Sequence, residues 1–320
     1  IELNVEMTHD VAFLGIHSAP ENGYKLTHYA GSFRCFMDGL NIDANSAGGT
    51  MDTEEFRHHG HIFVDWMADY LAGVEKYPVM AQVKPGEITA KLAPSAPEQG
   101  EPMEQIFADF QSQILPGITH WQHPSFFAYF PANSSPPSVL AEMLTATIAP
   151  QCMLWQTSPA ATEMETQVLD WLRQMTGLPE GLEGVIQDSA SSACLCALLT
   201  ARERATEWRG NQEGLGGMAA LCVYVSEQVH SSAEKDVMVA GLGRENLRKI
   251  PVDDDFAMLP DALEAAVLAD VRAGRTPCCV IATLGSTGVG AVDPLRPIGE
   301  ICQRHGIYLH VDAAWAGSAL

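Results

Sequence analysis

Between Val185 and Val311 the chain alternates short apolar runs with longer amphipathic ones. The short runs, Val185-Ile186, Leu221 to Val225, Leu247 to Val252, Cys279 to Thr283 and Ile307 to Val311, read as strands. Between them, Ser191 to Arg204, Ser232 to Ala240, Pro260 to Ala273 and Pro297 to His305 repeat apolar residues at helical spacing. Strands and helices in that alternation build a parallel sheet under helices through right-handed crossovers. Strands that are apolar throughout, rather than at every second residue, are buried on both faces, as such a sheet requires. The chain is therefore read as an α/β fold with a mainly parallel sheet.

The first half follows a different pattern. Residues 1–50 mix polar and apolar types with no sustained period and end in Asn45-Ser46-Ala47-Gly48-Gly49-Thr50, so they are expected to be an ill-ordered extension, with Met51 as a natural start. Asp52 and Glu55 are spaced as a capping box, and Phe56, Phe63, Met67, Tyr70, Leu71 and Val74 predict an amphipathic helix behind it. His58, His59 and His61 in that helix do not repeat on one face at i and i+4, so they read as solvated histidines and no metal site is expected. A Pro- and Gly-rich connector from Lys84 to Glu101 leads to a second helix marked by Met103, Ile106, Phe107, Phe110 and Ile114. From Pro116 to Pro137 the chain is crowded with aromatic residues and prolines, which suits either packing between domains or the wall of a flat pocket. A third helix starts at Ser158-Pro159, carries Met164, Val168, Trp171, Leu172 and Met175 on its inner face, and closes at Gly177. Three segments result: the extension 1–50, a helical segment with the aromatic loop at 51–135, and a large α/β domain at 136–320.

Charge narrows the partners. With 40 acidic against 18 basic residues the formal charge is −22, so nucleic acid and anionic membrane surfaces are repelled by the whole-molecule field. No apolar run reaches bilayer length and no basic-then-apolar leader opens the sequence. The eight cysteines form no CxxC pair and lie mostly in apolar segments, the pattern of reduced, buried thiols in a cytoplasmic protein.

Chemistry gathers where the strands end. Asp312 follows the last apolar run and precedes the small residues Ala313, Ala314, Ala316 and Gly317. In open α/β sheets ligands bind beyond the carboxyl ends of strands, so Asp312 is read either as a helix cap or generic contact, or as a specific partner of a flat ligand. Gln187-Asp188-Ser189-Ala190-Ser191-Ser192 leads from a strand into a helix, and several hydroxyls at the positive helix end suit a phosphate, against the plainer reading of a Ser cap. Thr283 to Gly288 adds hydroxyls at a sharp turn, and His230 stands just past a strand end, as either a structural histidine or a ligand contact. There is no GxxxxGK[ST], and Gly241-Leu242-Gly243 lacks the third glycine and the preceding strand of a dinucleotide fingerprint. A phosphorylated heterocycle smaller than a dinucleotide fits, and pyridoxal 5′-phosphate is the candidate.

The chain from Met51 to Leu320 resembles the group II pyridoxal-phosphate-dependent amino-acid decarboxylases, most closely the aromatic-L-amino-acid (dopa-type) decarboxylases. The resemblance rests on PGITHWQHPSFFAYFP (Pro116 to Pro131), SPAATEMETQVLDWL (Ser158 to Leu172), VIQDSAS (Val185 to Ser191), QVHSS (Gln228 to Ser232), ATLGSTG (Ala282 to Gly288) and LHVDAAWAGSA (Leu309 to Ala319). It implies a fold type I, aspartate-aminotransferase-like architecture, a homodimer, and a small-molecule amino-acid substrate. It makes 136–320 a large cofactor-binding domain that stops before the C-terminal domain. By the same resemblance Ala190 and Ser191 match residues at the cofactor phosphate and Thr287 a residue at its far edge. His230 matches the imidazole stacked on the ring, Asp312 the partner of the ring nitrogen, and Ala314 the small residue beneath it. Trp121, Tyr129, Phe130 and Pro131 match the wall around the substrate side chain.

The chemistry explains these types. Loss of carbon dioxide leaves negative charge at Cα, which a pyridine ring accepts only while its nitrogen is protonated. A carboxylate about 4 Å away, at an effective dielectric near 20, favours the protonated ring by about 4 kcal/mol, or roughly three pKa units. Asp312 and His230 are thus expected to be the residues that act on the reacting system, the first by charge and the second by orientation. The family's Schiff-base lysine lies in a His-Lys pair downstream of the aspartate, and no lysine here matches it. The chain is therefore expected to be a fragment that is inactive alone. Ala132, Gln151 and Met153 depart from residues that shape the substrate pocket in many relatives. An aromatic amino acid is still expected, since the aromatic loop holds no Arg or Lys for a glutamate-type substrate. The alternatives are other chemistry on the same cofactor, as in an aldehyde synthase or aminotransferase, and a non-catalytic pseudoenzyme.

Overall fold

One carboxylate oxygen of Asp52 accepts hydrogen bonds from the backbone N–H of Glu54 (2.8 Å) and Glu55 (2.9 Å), and the Glu55 side chain accepts from the N–H of Asp52 at 3.0 Å. This reciprocal cap starts helix α1, Thr53–Gly73, as the sequence predicts. The computed structural model describes residues 15–18, 24–27, 51–97, 99–129 and 134–319, divided into two units, Ile1–Phe126 and Phe127–Leu320. In the first unit, β1 (Gly15–Ser18) and β2 (Tyr24–Thr27) pair antiparallel. The rest of the expected extension lies outside the described residues.

α1 packs on α2, Met103–Asp109, through aromatic rings. Phe63 meets Phe107 at 4.7 Å, and Trp66 stands edge-on to both Phe107 and Phe110. Farther along the same face Tyr70 Oη bonds His120 Nδ1 at 2.7 Å. His120 is fully buried, which gives the start of the aromatic loop a packing role inside this unit. The second helix is shorter than the apolar spacing suggests. After Asp109 the backbone widens into a π turn, Phe110–Ile114, then tightens into a 3-10 turn that ends at Pro116-Gly117.

The second unit opens with α3 (Pro136–Ile148) and α4 (Pro159–Met175). It continues as α5 (Ala190–Ala205), β3 (Leu221–Ser226), α6 (Ser232–Val239), β4 (Leu247–Ile250), α7 (Pro260–Arg272), β5 (Thr276–Thr283), α8 (Leu295–His305) and β6 (Tyr308–Asp312). The four strands form one parallel sheet in the order β4-β3-β5-β6. Every residue of β3 is buried because successive side chains enter different layers. Leu221, Val223 and Val225 pack with Leu198 of α5 and Val237 of α6. Cys222 and Tyr224 pack with Leu263 and Val267 of α7 and Ile298 of α8.

On that second face the Tyr224 hydroxyl donates to Asp270, which also takes both arms of the Arg248 guanidinium at 2.9 and 2.8 Å. Burial opposes ionisation of Asp270, but the hydrogen bonds from Arg248 and Tyr224 prevail and hold its carboxyl below the usual range. At the end of α8, Gly306 adopts a left-handed φ of +66°, and the N–H of Ile307 returns to the carbonyl of Cys302. That glycine cap turns the chain directly into β6 and so aims its last residue, Asp312.

One expected strand is absent. Val185 and Ile186 are exposed and unpaired as strand, and the N–H of Ile186 donates to Glu165 Oε1 at 2.8 Å instead of to a neighbouring ladder. Two apolar residues become a strand only when another backbone runs beside them. The expected strand Leu247 to Val252 stops at Ile250 because Pro251 has no N–H to continue the ladder. The strand ending at Thr283 starts earlier than expected, at Thr276. Cys194, Cys222, Cys278, Cys279 and Cys302 are buried free thiols, and Cys152 and Cys196 are exposed ones. Among the described residues no helix is long and apolar enough to cross a membrane.

Candidate active site

Because β3, β5 and β6 run parallel, their carboxyl ends open on one side of the sheet, with Thr283 of β5 in register with Asp312 of β6. The chain passes from β3 to β4 on one side and then crosses to β5 and β6 on the other, so the carboxyl ends of β3 and β5 flank the switch point where α/β sheets bind ligands. A cavity of about 160 Å³ lies there. Ala190, Ser191, His230, Thr287, Asp312 and Ala314, drawn from four separate stretches of sequence, all line it.

Each is positioned by ordinary local chemistry. Ser189 is the cap of α5, its hydroxyl accepting from the N–H of Ser192, so the cap and the ligand-facing hydroxyl are different residues. Ser191 lines the cavity from the first turn of α5, where the helix dipole favours an anion. His230 Nδ1 lies 2.9 Å from Ser232 Oγ and accepts from the N–H of Ser232. A backbone N–H can only donate, so Nδ1 is the acceptor and the neutral ring carries its proton on Nε2. Asp312 Oδ1 accepts from the N–H of Ala314, which orients the carboxylate at the strand end.

The structure adds residues that sequence reading left unassigned. Ser232, Thr283, Gly285 and Trp315 also line the cavity. The Thr283 backbone N–H donates to Asp293 Oδ2 at 2.8 Å, and Asp293 takes the N–H of Met258 through its other oxygen. The hydroxyl of Thr283 is buried and has no hydrogen-bond partner. A buried hydroxyl on a cavity wall without a protein partner is what a polar ligand would satisfy. Gly285 has φ +80°, and a Cβ placed on it would fall 2.3 Å from the Trp315 ring. The indole therefore lies directly on the turn after β5. A bulky residue inside an otherwise small run, Ala313 to Gly317, was the visible signal for it.

A second pair lies close to Asp312. His310, two residues earlier on the same face of β6, places Nε2 3.0 Å from Cys194 Sγ on α5. Burial, with the carboxylates of Asp312 and Asp236 adding to it, pushes the Cys194 thiol up to about 12. Burial also lowers His310, against the pull of Asp312. Both members are thus neutral near pH 7. Asp236 sits one turn after Ser232 on α6, with Oδ2 buried and unpartnered. Burial raises its pKa, opposed by His230 and Lys235.

Of the expected substrate wall, only Trp121 and Tyr129 fall among the described residues. Trp121 belongs to the first unit, where its ring packs on Phe126 at 4.6 Å. Tyr129 is exposed with φ +56°. Phe130, Pro131 and Ala132 lie outside the described residues.

A donor set of one carboxylate, one imidazole, four hydroxyls and a helix N-terminus around a small cleft fits a phosphorylated pyridine. The comparisons with known proteins agree. Residues 85–320 match the family model described as the pyridoxal-dependent decarboxylase conserved domain. Phenylacetaldehyde synthase of Petunia hybrida is 44% identical over 277 residues, covering 84% of this chain and 54% of that protein. Tryptophan decarboxylase 2 of Oryza sativa subsp. japonica is 43% identical over 277 residues, covering 84% of this chain and 55% of that protein. The solved structure of Oryza sativa TDC with PLP and tryptamine superposes with a TM-score of 0.80 at 37% identity, covering 84% of this chain and 56% of that one. The architecture is thus that of fold type I PLP enzymes, and the chain spans about half the length of the curated relatives it matches.

Proposed function

Since the chain belongs to the pyridoxal-dependent decarboxylase family, we propose that its protein removes the α-carboxylate of an aromatic L-amino acid, releasing the amine and carbon dioxide. Pyridoxal 5′-phosphate, when bound, supplies the electron sink for the charge left at Cα. The observation that carries the reading is the meeting of Ser191, His230, Thr287 and Asp312 with the unpartnered Thr283 hydroxyl in one cavity.

In this reading Ser191 and Thr287 hold the phosphate at the start of α5. Asp312 holds the proton on the ring nitrogen. His230, with Nδ1 occupied by Ser232, keeps Nε2–H free to face a ligand and would orient the ring. Ala314 keeps the floor beneath the ring low. The similarity to a tryptophan decarboxylase and to a structure with tryptamine bound supports an aromatic substrate. A homodimer is part of the same reading, supported by exposed apolar side chains on α3 and α4, among them Leu140, Leu144, Ile148, Met164 and Trp171.

A second reading, oxidative conversion of the amino acid to the aldehyde with water supplying the carbonyl oxygen and dioxygen reduced to hydrogen peroxide, is favoured by the similarity to phenylacetaldehyde synthase. One product assay separates the two. The complete protein is incubated with L-tryptophan, L-tyrosine, L-phenylalanine and L-glutamate, and amine and aldehyde are quantified. Amine from the aromatic substrates supports the first reading, aldehyde with ammonia supports the second, and turnover of glutamate alone overturns both.

Among the described residues no lysine lines the cavity. On this reading residues 1–320 by themselves should bind the cofactor reversibly, leave none covalently fixed at the cavity after borohydride, and make no product. Titration with pyridoxal 5′-phosphate, followed by quenching of tryptophan fluorescence, should weaken roughly tenfold in S191A, about the loss of one hydrogen bond to a charged group. Unchanged binding in S191A and D312N would remove the cavity as the cofactor site.

A further inference from the structure

Away from the strand ends, one cluster in the first unit brings metal-ligating atoms together. His58 and His59 are consecutive in the first turns of α1, their rings edge to face with centroids 5.2 Å apart. Glu104, at the start of α2, approaches them, and one donor atom from each of the three lies within 4.8 Å of the others. His59 Nε2 stands 3.6 Å from Glu104 Oε1. In a tetrahedral zinc site, ligand bonds of about 2.0 to 2.1 Å put neighbouring donors roughly 3.3 Å apart. The His59 and Glu104 pair is already close to that spacing, and the exposed His58 and Glu104 side chains need only small rotations to match it.

The position in the helix pair gives the cluster a purpose. His59, Phe63, Trp66 and Tyr70 follow one another at steps of four, three and four residues along one face of α1. Phe63 and Trp66 meet the rings of α2, and Tyr70 meets His120. Where the seam reaches the open ends of both helices, apolar contact gives way to His59 facing Glu104. A bound ion would close this end as the rings close the middle.

Charge favours it too. Glu54, Glu55 and Glu101 join the three ligands around a cavity of about 720 Å³. Glu54 is paired with Arg57 and Glu55 is engaged in the cap, which leaves Glu101 as added negative charge beside the ligands. Two imidazoles and one carboxylate suit a borderline divalent ion better than calcium or magnesium, which take oxygen ligands.

We propose that His58, His59 and Glu104 bind one divalent transition-metal ion of the zinc class, which staples α1 to α2. The test uses the untagged chain after dialysis against EDTA. Cobalt(II) is added while visible d–d absorption is followed, zinc(II) is then used to displace it, and melting is recorded with and without zinc. One equivalent should bind with a tetrahedral cobalt spectrum, and zinc should raise the melting temperature. H59A and E104Q should each weaken binding at least about tenfold and abolish the melting shift. H305A, which removes a histidine paired with Glu264 outside the cluster, is the control and should leave both unchanged. Absence of stoichiometric binding, a smaller loss in H59A and E104Q, or an equal loss in H305A would overturn the proposal.

Discussion

Cys194 Sγ and His310 Nε2 lie 3.0 Å apart, joining helix α5, which carries the candidate phosphate hydroxyl, to strand β6, which carries Asp312. Removing the sulfur leaves a half-buried imidazole without that partner, two residues from Asp312. C194A should lower unfolding stability by about 1 to 3 kcal/mol, the cost of an unsatisfied buried polar group. Urea denaturation checks the loss. Mass mapping after a thiol reagent at neutral pH should find Cys152 and Cys196 modified and Cys194 untouched, because its thiol is pushed up to about 12.

Asp236 offers a stabilising substitution. Its Oδ2 is buried without a partner and its pKa is raised in the folded chain, so between the ordinary carboxylate range and that raised value the native state binds the more protons. Stability therefore falls as pH rises through that window and stays lower above it. D236N removes the charge while keeping the shape, and should gain about 1 kcal/mol at pH 7, with the gain vanishing under acid conditions. Denaturant midpoints of both proteins across pH would show it. An equal difference at every pH would contradict the assignment.

Buried histidines predict the opposite slope in mild acid. Burial lowers both His120, with His123 adding to the effect, and His310. For such a base the unfolded chain takes up protons first, as pH falls through about 6.5, while the folded chain does not. Unfolding free energy should thus decline below that pH, and H120Q should flatten the part of the decline that belongs to the first unit. Thermal melts between pH 8 and pH 5 measure it.

Gly285 sets the position of Trp315. Any side chain at this φ of +80° is strained, and a Cβ would strike the indole. G285A should cost at least about 1 kcal/mol and weaken pyridoxal phosphate binding, because the ring that moves lines the cavity. Adding W315A should recover part of the binding by relieving the collision, while the backbone strain persists. Fluorescence is lost with the indole, so equilibrium dialysis of the cofactor is the appropriate readout.

Much of this molecule could be read from one dimension. The apolar run Leu221 to Val225 announces a strand buried on both faces, Asp52 and Glu55 announce a helix start, and four polar stretches read as ligand-facing contribute residues to one cavity. Those features are local: a strand's burial, a cap and a turn depend on residues a few positions apart, and a parallel sheet brings its carboxyl ends to one side by construction.

The remainder depends on partners far away in sequence, about which a linear pattern is silent. Val185 and Ile186 look like a strand until one asks what would pair with them. His310 looks like a spacer until Cys194, 116 positions earlier, comes to meet it, and His59 looks solvated until Glu104 arrives from another helix. Residue types and their periodicity settle which elements form and which ends carry chemistry. Distances between side chains on different elements arise only when the layers pack, because that is when each buried polar atom either finds its partner, as the Thr283 amide does in Asp293, or is left, like the Thr283 hydroxyl, open to a ligand.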